Sequence, residues 1–75
     1  MTRFPVVSGR ETIRALELAG FQVVDQEGSH VKLKKFTPER TYIAVVPLHR
    51  ELARRTLMSI LKQAGLTLEQ FRELL

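Results

Sequence analysis

The chain contains no cysteine and no apolar run of the roughly 18 residues that a membrane-spanning helix needs. The absence of cysteine excludes disulfides, thiolate metal ligands and a thiol nucleophile. The first residues, MTRFPVVS, lack the longer apolar core and the small-residue cleavage site of a secretory signal. We therefore expect a cytoplasmic protein without a membrane-spanning segment.

Motifs for metal and cofactor chemistry are also scarce. The two histidines, His30 and His49, lie far apart in the sequence and outside any His-Glu-x-x-His spacing. No glycine-rich phosphate loop and no nucleophile elbow occurs. Ser29 precedes His30, but neighbouring strand residues point to opposite faces, which argues against a serine hydrolase. The sequence predicts no metal site and no small-molecule cofactor.

Size and charge point to a surface function with an anionic partner. With 75 residues, the chain is expected to form one domain over 1–75, near the size at which one hydrophobic core just suffices. Residues 28–62 hold eight basic and two acidic side chains, so 8 − 2 = +6, whereas each flanking segment sums to −1. Because the basicity is regional, it favours an anionic ligand over simple solvation of the whole surface.

Capping motifs and helical spacing predict three helices. Ser8 and Glu11 form a capping box that predicts a helix over about 9–19, ended by Gly20. An amphipathic stripe predicts a second helix over about 53–64, ended by Gly65; its apolar residues are Leu57, Ile60, Leu61 and Ala64. Another capping box, Thr67 to Gln70, opens a short last helix; the residues expected to face inward are Leu68, Phe71, Leu74 and Leu75.

Three strands are predicted between the first two helices, over 21–26, 30–36 and 42–46. A polar turn over 37–40 separates the last two, and such short connections predict an antiparallel meander. We expect an α+β fold in which the helices cover one face of a three-stranded sheet. The other face is then open to solvent or a partner.

The second strand alternates in a way that separates two faces. Val31 and Leu33 share one face, which we assign to the core, and a basic row of His30, Lys32 and Lys34 shares the other. On strand physics alone, His30 is compatible with an ordinary surface residue, and the lysines with solubility and protection of a sheet edge.

Two arginines are unusual for their position. Arg54 and Arg55 fall in the first turn of the second predicted helix, where the macrodipole favours negative side chains. A phosphate bound in front of these two arginines would offset the unfavourable interaction with the helix macrodipole. The alternative is a solvated loop at 54 and 55, with the helix starting at Thr56. His49 is expected in a loop, where it either braces a site, contacts a phosphate or is incidental.

The chain resembles the HicA (YcfA-like) mRNA interferase toxins of bacterial toxin–antitoxin systems in two long segments, PVVSGRETIRALELAGFQVVDQEGSHVKLKK and VVPLHRELARRTLMSILKQAGLTLEQFRELL. The resemblance implies a double-stranded-RNA-binding-like α-β-β-β-α fold and metal-independent cleavage of mRNA. It implies His30 as the catalytic acid or base within a Gly28-Ser29-His30 motif, and a HicB-type antitoxin as partner. A second acid or base is required, for which His49 or a lysine is a candidate.

We expect RNA contacts from basic side chains around this motif: Lys32, Lys34, Lys35, His49, Arg54 and Arg55. Two positions depart from many members of the family, which have a second histidine where this chain has Val31 and a glycine where it has Arg55. A non-catalytic RNA-binding module is the main alternative function, and a domain that binds only an acidic protein is a third.

Overall fold

The computed structural model describes residues 4–75 and arranges them as three helices and three strands in the order α1-β1-β2-β3-α2-α3. The helices are α1, Gly9–Leu18; α2, Arg54–Ala64; and α3, Leu68–Leu74. The strands are β1, Gln22–Glu27; β2, His30–Phe36; and β3, Thr41–Pro47. The predicted α+β fold is confirmed, with element ends within about two residues of those expected from the sequence.

Local sequence signals account for the ends of the helices. Both predicted capping boxes are present, at Ser8 for α1 and at Thr67 for α3. Gly20 and Gly65 follow α1 and α2 with positive φ angles of 103° and 70°. Each helix therefore ends at a backbone conformation in which a residue with a side chain would be strained, and glycine occupies that position as the sequence predicted.

The sheet is antiparallel in the order β1-β2-β3, so β2 is its central strand. Val31 and Leu33 of β2 are buried in one core with Ala44 and Val46 of β3. The helices complete this core through Leu16, Leu57, Ile60, Leu61 and Phe71. The helices therefore cover one face of the sheet and leave the other face uncovered.

One predicted core residue is not in the core. Leu75 is 54% exposed, whereas Phe71 of the same segment is fully buried. Helix α3 ends at Leu74, so the residue after it leaves the helical register that would have turned it inward. The prediction that Leu75 packs inward was wrong for this reason.

Each edge of the sheet has a different feature that limits pairing with a further strand. At the β3 edge, the Val45 N–H donates to Gln63 Oε1 of α2 at 3.1 Å. Pro47 is tolerated there because the next residue, Leu48, donates its N–H to Ser29 O in the turn before β2, so the nitrogen of Pro47 points away from the ladder. The β1 edge has a bulge between Val23 and Asp25. Such devices limit pairing with other strands.

Gly9 sets how closely α1 approaches the end of β3. Its buried N–H donates to His49 O at 2.9 Å, and a Cβ at this position would overlap the carbonyl oxygen of Pro47. Only a residue without a side chain permits this contact. The start of α1 is thus fixed against residues 47–49.

We expect Gly9→Ala to destabilise the fold by roughly 1–3 kcal/mol, because the methyl group must displace backbone rather than a flexible side chain. In an unconstrained helix the same change is stabilising, by roughly 0.5–1 kcal/mol. Urea unfolding followed by circular dichroism measures the effect, with Glu17→Ala on the exposed face of α1 as control. A Gly9→Ala midpoint equal to or above that of the native chain would contradict the close approach.

Candidate functional site

The turn before β2 places His30 at the start of the central strand. Glu27 pairs directly with His30, which leaves Gly28 and Ser29 as a two-residue hairpin turn. Gly28 has a φ of 60° and Ser29 does not have a positive φ, the pattern of a type II′ turn. Ser29 O also accepts from Leu48 N–H at 2.7 Å, which ties the turn to the end of β3. Gly28 and Ser29 therefore position His30 through the backbone.

The basic row of His30, Lys32 and Lys34 lies on the uncovered face of the sheet. His30 and Lys32 are exposed and Lys34 is half-buried, whereas the intervening Val31 and Leu33 are buried. Because side chains at every second position of a strand point to the same face, these three basic side chains form a line along β2. Their arrangement can attract an anionic ligand and expose an imidazole to it.

The neighbours of the basic row differ on its two sides. On β1, Glu27 lies opposite His30 and Asp25 lies opposite Lys32. On β3, the exposed apolar residues Val45 and Ile43 lie opposite Lys32 and Lys34. The open face is thus acidic along β1, basic along β2 and apolar along β3.

Glu27 is a direct neighbour of His30 that the sequence analysis did not identify. Directly paired residues have Cβ atoms about 4.5–5.5 Å apart, so the Glu27 carboxylate can reach the imidazole of His30. A carboxylate beside an imidazole can orient the ring or exchange a proton with the same ligand. The two-residue turn was the available signal, because it fixes residue 27 opposite residue 30.

Lys35 does not join the basic row. It follows Lys34 in β2 and therefore points to the helix-covered face, where its aliphatic chain lies over Gly20. A Cβ on Gly20 would come within 3.3 Å of Lys35 Cε. The structure separates this predicted contact residue from Lys32 and Lys34.

The two arginines lie at the start of α2 and so outside the basic row of β2. The helix begins at Arg54, so the alternative start at Thr56 was wrong, and Ala53 provides no side-chain cap. The Arg54 guanidinium carbon lies 4.7 Å from the centre of the Phe4 ring. This cation–π contact gives Arg54 a partner within the chain. Arg55 is exposed.

His49 lies two residues beyond Pro47, the β3 partner of His30. It lines a shallow depression of about 280 Å³ at the start of α1, together with Arg10 and Arg50. Arg10 belongs to the acidic first part of the sequence, yet the fold places it beside His49 and Arg50. His49 is therefore placed beside α1 rather than within the basic row.

Within residues 4–75, no group of three His, Cys, Asp or Glu side chains is arranged to hold a metal ion. None of the helices in the described part of the chain is long and apolar enough to cross a membrane.

Comparison with known proteins identifies a family for this chain. The sequence model of the HicA toxin of bacterial toxin–antitoxin systems matches residues 9–66. The matched part extends from the start of α1 to just beyond α2, and it includes the whole sheet with the basic row. No curated relative matches the chain.

Proposed function

Since the chain belongs to the HicA toxin family of bacterial toxin–antitoxin systems, we propose that it is a metal-independent endoribonuclease that cleaves mRNA in the cytoplasm. Its partner would be a HicB-type antitoxin. The observation that carries this proposal is an exposed imidazole, His30, in line with Lys32 and Lys34 on the uncovered face of the sheet. These residue types suit a phosphodiester substrate, since imidazole transfers protons and ammonium groups neutralise phosphate.

In the proposed reaction, the 2′-oxygen of a ribose attacks the adjacent phosphorus while its proton passes to a base. The bond from phosphorus to the 5′-oxygen breaks, and an acid protonates that oxygen. The products are a 2′,3′-cyclic phosphate and a free 5′-hydroxyl. His30 fills one of these two roles, and the ammonium groups of Lys32 and Lys34 stabilise the negative charge that develops on the phosphoryl oxygens.

The second proton-transfer role is best filled by Glu27. It is paired directly with His30, whereas His49 lies beyond Pro47 and lines a depression beside α1. A carboxylate acting as base with a histidinium acting as acid provides both groups at one phosphate. The lysines of the basic row serve less well as the base, because the charged form that binds phosphate has no free electron pair with which to accept a proton.

The second histidine of many family members is replaced here by Val31, which lies on the other face of β2 from His30. Val31 is buried in the core on the helix-covered face. A residue at that position is directed away from the open face where His30 lies. The chain therefore keeps an imidazole on the face proposed to bind RNA.

We expect His30→Ala to lower the rate of RNA cleavage by about 10²–10⁴-fold, because it removes a proton-transfer group. RNA affinity should fall much less, since the lysines remain. Cleavage of a labelled single-stranded RNA with a metal chelator present measures the first effect, and binding to the same RNA measures the second. A native chain that binds RNA but never cleaves it would support a non-catalytic RNA-binding module instead.

Glu27→Gln should lower the cleavage rate by about 10²-fold, the low end for loss of a general acid or base. It should also remove one limb of the pH–rate profile. Asp25→Asn is the matched control, because it makes the same change opposite Lys32 rather than His30. Equal rates for the two variants would assign the second role to another group.

The two faces of β2 allow a matched test of phosphate binding. Lys32→Gln with Lys34→Gln should flatten the dependence of log affinity on log salt concentration by about 1.4, which is roughly 0.7 for each lost contact to a single strand. Lys35→Gln removes the same charge from the other face and should leave the slope nearly unchanged. Equal slope changes for Lys32→Gln and Lys35→Gln would locate the RNA elsewhere.

A further inference from the structure

Phe36 is an exposed aromatic residue at the far end of the basic row. It is the last residue of β2 and is 66% exposed. By contrast, Phe21 and Phe71 are buried, and Phe4 packs against the core. Single exposed apolar side chains are common on protein surfaces, so Phe36 is distinguished by its place at the end of the basic row rather than by its exposure alone.

The alternation of β2 puts Phe36 on the same face as the basic row. His30, Lys32, Lys34 and Phe36 occupy every second position, whereas Lys35 points to the helices. His30 and Phe36 are six steps apart along the strand, which corresponds to about 20 Å at 3.3 Å per residue. An extended polynucleotide of several nucleotides covers this length.

The local structure holds the ring at the end of the sheet. Phe36 pairs with Thr41, and the turn that follows is closed by Thr37 N–H to Arg40 O at 2.9 Å and Arg40 N–H to Thr37 Oγ1 at 3.1 Å. The Arg40 guanidinium carbon lies 4.4 Å from the centre of the Tyr42 ring. Tyr42 packs near Gly65 on the helix side, so this cation lies away from the open face.

We propose that Phe36 stacks on a nucleobase of single-stranded RNA whose phosphates follow Lys34 and Lys32 toward His30. The inference rests on the proposed function, to which it adds a substrate class and a second contact point. Aromatic stacking is available to an unpaired base and not to one held inside a duplex. Phe36 would thus select single-stranded segments and set the distance between a bound base and the bond that is cut.

A fluorescence experiment tests the stacking directly. The chain has no tryptophan, so Phe36→Trp introduces a single indole. In a His30→Ala background, which is expected to slow cleavage, single-stranded RNA should quench this indole. An abasic oligonucleotide of equal length should quench it far less, because it offers phosphates without bases. A duplex should also quench weakly.

Leu18→Trp in the same background is the matched control. Leu18 is 67% exposed, nearly the same as Phe36, but lies at the end of α1. Its indole should respond little to any of the three oligonucleotides. Equal quenching at the two positions, or equal quenching by RNA and by the abasic strand, would overturn the proposal.

Affinity measurements separate stacking from charge. Phe36→Ala should weaken single-stranded RNA binding roughly tenfold, the effect of losing one stacked base. The loss should be the same at low and moderate salt, because no phosphate contact is removed. Phe36→Tyr should restore affinity and Phe36→Leu should not. Phe36→Leu with native affinity would show that the ring is not used for stacking.

The outcomes also separate this inference from the ribonuclease proposal. If the native chain does not cleave RNA but RNA quenches the Phe36→Trp indole in a base-dependent way, the ribonuclease proposal is wrong and the stacking site stands. If the native chain cleaves RNA but Phe36→Ala binds RNA as tightly as the native chain, the ribonuclease proposal stands and the stacking site is wrong. A Phe36→Ala effect confined to a complex with a protein partner would likewise overturn stacking.

Discussion

Burial of Val31 and Leu33 fixes the register of β2, and the identity of every side chain on the open face follows from it. A strand repeats every two residues, so a slip of one position would bury His30, Lys32 and Lys34 and expose the two apolar side chains. Desolvating these charges would cost far more than the fold could recover. The turn at Gly28 and Ser29 then fixes β1 against this register. Core packing therefore determines the geometry of the candidate site.

This arrangement limits how a 75-residue chain can be stabilised. One face of the sheet stays uncovered, so the whole core lies between the other face and a single layer of helices. The close contact at Gly9 and the docking of Phe71 compensate for the small buried area. The site itself is built on the central strand, paired on both sides, which is the most rigid position that a three-stranded sheet offers.

Much of this architecture follows from local sequence signals. The capping boxes, the glycines after the helices and the alternation of β2 each depend on residues close together in the chain, and each was predicted. Sequence reasoning failed where the outcome depends on pairing across strands or on where a helix ends. Glu27 becomes a neighbour of His30 only through the two-residue turn, and Leu75 is exposed only because α3 stops at Leu74. Lys35 was grouped with its neighbours by composition, although alternation directs it to the other face.

The open face is acidic along β1, basic along β2 and apolar along β3, and this order suggests how a toxin of this fold would be inhibited. The apolar residues Ile43 and Val45 lie directly beside Lys34 and Lys32. A protein that buries this apolar stripe must also cover the basic row, because paired strands lie only about 4.8 Å apart. RNA and such a protein would compete for one surface, and competition alone suffices for inhibition. No change of shape in the toxin is then required, which suits a fold whose site is fixed by its core.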